Sequence, residues 1–263
     1  ENLRNQLKAS EDELKEAEKK LAYLDAKKNR ADDLVKGLEG SGERWEETRK
    51  SLSNLLFTIE GDNMLTIAFL NYFSPFPSEY RQKLQAVLMK EIVKSKVPYN
   101  PKWNFIENLG DDAQILDWNF KGLPSDQFSV ENGVIVMNTV RWPIMIDPQN
   151  QACSWIKSLF GDQCFSYDAS DPNLMTKIKT GIKSGVTILI ENISEEIDPA
   201  LEPVLARQIR IENGKEYFAI GEESILYNKG FRLFMTTRLS NPTFKAEIST
   251  KVTIVNFTVK EKG

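Results

Sequence analysis

Near the middle of the chain, in "IMIDPQNQACSW", an apolar run gives way to a short polar loop and then to a helical stretch. That is the layout of a phosphate-binding loop. Its pattern, G-x-x-x-x-G-K-[ST], uses glycines to bring backbone N–H groups up to phosphates and a lysine to neutralise them. In this frame Asp147 takes the first glycine position, Ala152 the second, Cys153 the lysine and Ser154 the serine or threonine. Only Ser154 matches. Asp147 adds negative charge where phosphates would sit, and neither Asp147 nor Ala152 gives the backbone the freedom of glycine.

Nucleotide hydrolysis needs two further stations, and both have counterparts with altered residues. A second buried strand should end in acids that hold Mg²⁺ and activate water. "TILIEN" ends in Glu191 and Asn192, so an acid stands at the metal position but an amide replaces the base, and an amide cannot take a proton from water. A third strand should end in a polar sensor of the γ-phosphate. "FRLFMTT" ends in Thr236 and Thr237. The reading is of a degenerate site with no catalytic residue, no hydrolysis and no bound cofactor. Its rivals are an ordinary α/β domain whose loop matches by spacing alone, and a regulatory module that binds nucleotide.

Composition removes other chemistries. There is no histidine among the 263 residues, which excludes Ser-His-Asp and Cys-His systems and His-ligated metals. Cys153 and Cys164 cannot build a four-ligand zinc site. A disulfide between them is possible on spacing, but so sparse a use of cysteine suits a reducing compartment, so two ordinary buried thiols and an intracellular protein are expected. The acids of "SEEIDPALEPVL" lack convergent spacing, so a solvated loop is expected there and no metal site. A net charge of −4 with interleaved signs gives no reason to expect nucleic acid or a membrane as partner. No apolar run reaches the roughly 18 to 20 residues of a bilayer span, and the polar amino terminus does not read as a signal peptide. Trp103, Trp118, Trp142 and Trp155 are expected in cores or interfaces, and no arginine follows Arg238 to serve a neighbouring site.

The elements that would position these residues fall into two regions. In residues 1–44, Leu3, Leu7, Ser10, Leu14, Ala17, Leu21, Leu24, Lys28, Ala31, Val35 and Leu38 alternate at spacings of four and three. This is the seam of a coiled coil over about five heptads, with charged residues elsewhere. No second heptad stretch occurs to pair with it, so the partner helix lies on another chain or another segment. Gly37, Gly40 and Gly42 in "GLEGSGERW" predict a break or hinge.

From residue 45 to about 100 the pattern is helical. "LSNLLFTIEGDNMLTIAFLNYF" carries apolar residues on more than one face and reads as buried helices. A helix start at Ser78, with Arg81 and Gln82 behind it, follows Pro77. Residues 101–263 alternate strands and helices. "GVIVMN" and "WPIMI" are short apolar runs, Ala152 to Phe160 and Pro172 to Ser184 are helical, and "GVTILIEN" is a strand buried on both faces. Asn213-Gly214 marks a hairpin, and "FRLFMTT" and "VTIVNFTV" are core strands. Helices between buried strands predict an α/β sandwich with a parallel sheet.

"FSVENGVIV", "RWPIMIDPQNQACSWIK", "ILIENISEEIDPALEPVL", "FRLFMTTRLSNPTF" and "STKVTIVNFTV" together resemble the fifth AAA+ module of a dynein heavy chain, from about Trp45 onward. The "RWPxMIDPQ" style, and a run like "LDPALEPVL" with Ile197 at its first position, look closer to axonemal than cytoplasmic forms. The chain departs from the family at Asn150, where glycine is common, and at "ACS". The resemblance implies an AAA+ three-layer sandwich of P-loop NTPase type, its small helical subdomain absent, preceded by the returning helix of an antiparallel stalk. It implies neighbours in the fourth and sixth modules of the same heavy chain, the outgoing stalk helix as coiled-coil partner, and a microtubule reached only through the stalk tip. It further implies that ATP is hydrolysed elsewhere in the ring, that this module links ring to stalk, and that the protein resides in the axoneme of a cilium or in the cytoplasm. A coiled-coil adaptor that dimerises through residues 3–38, with an α/β cap, is the rival from another class.

Overall fold

The computed structural model describes residues 2–258, with the side chains of residues 2–13 and 39–40 outside the description. Two compact units divide between Thr58 and Ile59. The first is formed by helix α1 (Asn2–Ala68) alone. The break expected at Gly37, Gly40 and Gly42 is not there, since α1 runs through it. Glycine costs a helix about 1 kcal/mol relative to alanine, and strong helix formers such as Leu38, Glu39, Glu43 and Arg44 surround these glycines. The heptad spacing also continues in phase beyond them through Gly42, Trp45, Arg49, Leu52 and Leu56.

In the second unit α1 ends in a π-helical turn, Phe69–Phe73. Here the expectation of helices buried on several faces is corrected. Leu65, Phe69 and Phe73 form one buried stripe at i, i+4, i+8, whereas Met64, Ile67 and Tyr72 are exposed. Helices α2 (Ser78–Lys94), α3 (Phe105–Leu109), α4 (Asp112–Phe120) and α5 (Gln127–Asn138) follow. The run "GVIVMN" folds as the end of α5, where Asp126 caps the helix by accepting from the Ser129 N–H. An apolar run this short cannot be told from a strand by periodicity, and the cap four residues upstream of Val130 decides it.

The sheet is parallel throughout, in the order β2-β3-β7-β1-β8: β1 (Trp142–Ile146), β2 (Cys164–Asp168), β3 (Thr187–Glu191), β7 (Arg232–Thr237) and β8 (Val252–Asn256). Alternation along each strand divides the side chains between two layers. Met145, Leu189, Phe234 and Val255 face α5 and α6 (Gln151–Phe160), around Trp155. Ile144, Ile188, Ile190, Leu233 and Met235 face α7 (Leu174–Ser184) and α8 (Glu202–Leu205). Each such fully buried aliphatic contributes about 1.5–3 kcal/mol. This is the three-layer sandwich that alternating buried strands and helices predicted.

The acidic stretch after Asn192 is only partly the solvated loop expected of it. Its acids are largely exposed, but Leu201, Val204 and Leu205 bury themselves in the second layer. Strands β4 (Ile209–Glu212), β5 (Lys215–Ile220) and β6 (Glu223–Leu226) form a separate antiparallel sheet. Its first turn is Asn213-Gly214, both at positive φ, the geometry that favours this dipeptide. A short α9 (Ala246–Ser249) leads into β8.

One charged side chain ties α2 and the π-helical turn to the sandwich. Arg81 is 1% exposed. Its Nε donates to the Phe73 and Phe76 carbonyls at 3.1 and 2.9 Å, and its Nη1 meets Glu131 at 3.2 Å. Its Nη2 donates to the Ser74 carbonyl at 2.9 Å and to Asn132 Oδ1 at 2.6 Å. Asn132 passes the chain on by donating to the Asn256 carbonyl at 2.7 Å, and the Asn256 N–H returns to the Ser74 carbonyl at 3.0 Å. Burial lowers the Arg81 pKa to about 10, with Glu131 opposing it, so the guanidinium stays charged at neutral pH.

Candidate functional site

The loop between β1 and α6 is where a phosphate would be held, because the first N–H groups of a helix have no partner of their own and attract anions. Here an anion is already supplied by the chain. Asp147 is 1% exposed, and its Oδ1 accepts from the Gln151 N–H at 2.8 Å while its Oδ2 accepts from the Cys153 N–H at 2.9 Å. Its own N–H donates to the Thr237 carbonyl at 2.8 Å, which pins the loop to the end of β7. Asn150 turns the backbone into α6 with φ of 62°, a left-handed conformation that Asn tolerates better than most residues. Ser154, the one residue matching the phosphate-loop pattern, spends its hydroxyl on the Asn150 carbonyl at 2.8 Å.

Burial pushes the Asp147 pKa up, and the N–H groups of Cys153, Gln151 and Ala152 pull it back without fully cancelling the rise. Ala152 and Cys153 are both fully buried against the sheet. Burial, with the negative charge of Glu191 nearby, pushes the Cys153 thiol up to about 11, so it is not a nucleophile at neutral pH. Cys153 and Cys164 are both free.

The second station is likewise closed from within. Glu191, at the end of β3, meets Lys157 Nζ at 2.6 Å and accepts from the Ser166 hydroxyl. Burial alone would raise the Glu191 pKa, but Lys157 and Ser166 outweigh it and leave the carboxylate below its ordinary value. Burial likewise works against the Lys157 charge, and Glu191 outweighs that too. The cation on Glu191 therefore comes from the second turn of α6. Asn192, at φ of 60°, donates to Asp168 Oδ2 at 2.5 Å, where hydrogen bonds from Ser170 and Asn192 hold the Asp168 pKa down at about 2.

Thr236 and Thr237 are buried, and their groups serve the backbone. The Thr236 carbonyl accepts from the Ile193 N–H at 2.9 Å, and Thr237 Oγ1 accepts from the Leu239 N–H at 3.3 Å. The structure thus brings the three stations to one end of the sheet and engages each of them internally. The groups that would hold a triphosphate and its Mg²⁺ do not fit that ligand as they stand. Among the described residues, no three of Cys, Asp and Glu converge in a metal-binding arrangement.

Sequence reasoning missed Asp168, Lys157 and Arg81. A lysine one turn past the loop and in line with Glu191 was a readable signal for Lys157. Arg81 offered none, since its side-chain partners Glu131 and Asn132 lie 50 and 51 residues away.

The other candidate residues lie on α1. Leu14, Leu21, Leu24, Val35 and Leu38 are exposed, between 57% and 65%, and Trp45, Leu52 and Leu56 further along the same seam are exposed between 59% and 72%. Ala17 and Ala31 are exposed with them. The side chains of Leu3 and Leu7 lie outside the described residues. A Cβ added at Gly37 or Gly42 would touch nothing within 4 Å, so neither glycine is there to admit a close neighbour within this chain.

Residues 116–263 match the family described as the ATP-binding dynein motor region. The chain is 40% identical over 248 residues to the dynein-1-beta heavy chain of the flagellar inner arm I1 complex of Chlamydomonas reinhardtii, covering 92% of this chain and 6% of that protein. It is 38% identical over 242 residues to the axonemal dynein heavy chain 2 of Mus musculus, covering 91% and 5%. It is also 38% identical over 249 residues to the axonemal dynein heavy chain 1 of Mus musculus, covering 94% and 6%. The chain therefore spans only about a twentieth of the length of these relatives. With a parallel AAA+-type sandwich, three stations at one end of its sheet and a family match over more than half its length, the chain belongs to the dynein motor region family, on the axonemal side.

Proposed function

We propose that this chain is a non-catalytic AAA+ module of an axonemal dynein motor ring, the fifth in order, which passes rearrangements driven by ATP elsewhere in the ring to a microtubule-binding stalk. The observation that carries the reading is the Asp147 carboxylate seated on the Gln151 and Cys153 N–H groups. A phosphate would have to displace a buried carboxylate of its own sign, and no lysine stands in the loop to offset the repulsion. Lys157 on Glu191 does the same at the metal position. Both effects weigh against the alternative of a regulatory nucleotide-binding module.

In this reading the exposed seam of α1 is where the outgoing stalk helix lies, and a coiled coil passes motion as shifts between discrete registers. Gly37, Gly40 and Gly42 then soften α1 without breaking it. The neighbours are the fourth and sixth modules, the microtubule is reached through the stalk tip, and the place of work is the axoneme of a cilium or flagellum.

The test is titration of the protein with ATP and Mg²⁺ in a calorimeter. No saturable heat is expected below about 1 mM nucleotide, a free energy of about −4 kcal/mol at most. Micromolar binding would overturn the reading.

A further inference from the structure

At the opposite end of the sheet, where β1 and β7 begin, lies a recess of about 190 Å³ bordered by Arg141, Trp142, Arg207, Tyr227, Lys229 and Arg232. Lys229 has a carboxylate partner, Glu216 at 3.2 Å. Among the described residues, Arg141, Arg207 and Arg232 have none. Three guanidiniums and no carboxylate therefore border one recess, in a chain whose net charge is −4.

Arg207 is the centre of this arrangement. Its guanidinium lies 3.9 Å from the centre of the Trp142 ring, and one Nη donates to the Val140 carbonyl. Its Nε is buried and has no acceptor. An orphaned buried donor of this kind costs about 1–3 kcal/mol, more when charged. Arg207 also holds a left-handed backbone, φ of 48°, a strain that proteins tend to keep where a side chain must be aimed. Beneath it Trp142 is fixed, donating its indole N–H to the Val204 carbonyl at 2.8 Å and meeting Phe231 edge-on at 5.6 Å.

We propose that this recess docks an acidic segment of a partner polypeptide, with an Asp or Glu carboxylate lying between Arg141 and Arg232 against the Arg207 guanidinium. A guanidinium edge matches a carboxylate in plane and in donor spacing. Arginine beside tryptophan and tyrosine is the composition of protein-interface hot spots. The recess is smaller than the roughly 300–1,000 Å³ of a small-molecule site, which argues against a nucleotide here. The inference stands apart from the motor reading, since it uses neither the phosphate-loop end nor α1.

Calorimetric titration of the chain at low salt with a capped ten-residue poly-glutamate peptide tests it. Saturable binding is expected, weakened roughly ten-fold, or about 1.4 kcal/mol, by Arg207→Gln, and less by Arg141→Gln or Arg232→Gln. Arg141 and Arg232 are exposed, so their variants keep the test valid should Arg207→Gln misfold. Arg210→Gln, on β4 and outside the recess, should bind as the parent does. No saturation by about 1 mM peptide would overturn the proposal. So would binding unchanged in the recess variants, or inorganic phosphate binding as tightly as the peptide.

Discussion

The sandwich and the long helix treat their unsatisfied groups in opposite ways. At the phosphate-loop end, Asp147, Glu191 and Asp168 each find donors within the chain. Along α1, the apolar seam from Leu14 to Leu56 finds no cover within its unit, and its leucines stay more than half exposed. Polar groups at a helix start or strand end can be satisfied by side chains brought next to them by the fold. A stripe of leucines cannot be covered that way, because a helix has no means of folding back onto its own face. The contrast separates groups satisfied within the chain from a stripe that is not covered within its unit.

The comparison breaks if the internal partners are dispensable, and the largest effect should come from Arg81. Arg81→Ala leaves the buried Glu131 carboxylate with no cation and only the Gln127 amide as donor, and the Asn132 amide oxygen with none, and urea denaturation should show a loss of about 3–5 kcal/mol. A loss under about 1 kcal/mol would mean that the network is ornamental.

Asp147→Ala comes next. It leaves the Gln151 and Cys153 N–H groups unpaired at a buried helix start, at a cost of about 1–3 kcal/mol by the same assay. The pH dependence sharpens this. Burial holds the folded-state Asp147 pKa above its ordinary value, so its titration contributes stability that is fully present below about pH 4 and declines as pH rises through the folded value. Asp147→Asn should remove that decline, so the difference in denaturation midpoint between parent and variant should itself change with pH. A constant difference would place the carboxylate outside the site described.

The smallest effect belongs to α1. Gly37→Ala and Gly42→Ala meet no neighbour and should each raise helix stability by up to about 1 kcal/mol, read as increased helicity by circular dichroism. A fall in helicity would mean that the glycines hold a conformation alanine cannot adopt.

The sandwich was legible because β1, β3 and the centre of β7 are buried on both faces and read as apolar runs, and β8 is largely buried and apolar. β2 was not. "CFSYD" lies at the edge of the sheet, half exposed, and mixes polar with aromatic residues. Gly37, Gly40 and Gly42 misled for a local reason, since three weak residues cannot stop a helix that strong formers continue on both sides. The loop after β1 and the ends of β3 and β7 do lie at one end of the sheet, but Asp147 was read only as a charge repelling phosphate. Its bonds from the Gln151 and Cys153 N–H groups depend on the turn at Asn150, which the sequence does not announce. The Arg81 network had no local trace, because a charged residue in a polar helix normally faces water.

Asn256 gives the Arg81 network a place in time. A ribosome makes β8 after every other element described here, yet the Asn256 carbonyl and N–H complete the bonds of Asn132 and Ser74. Until β8 leaves the exit tunnel, that polar cluster holds a guanidinium whose surroundings are unfinished. Completion of that network therefore waits for β8, the last strand among the described residues.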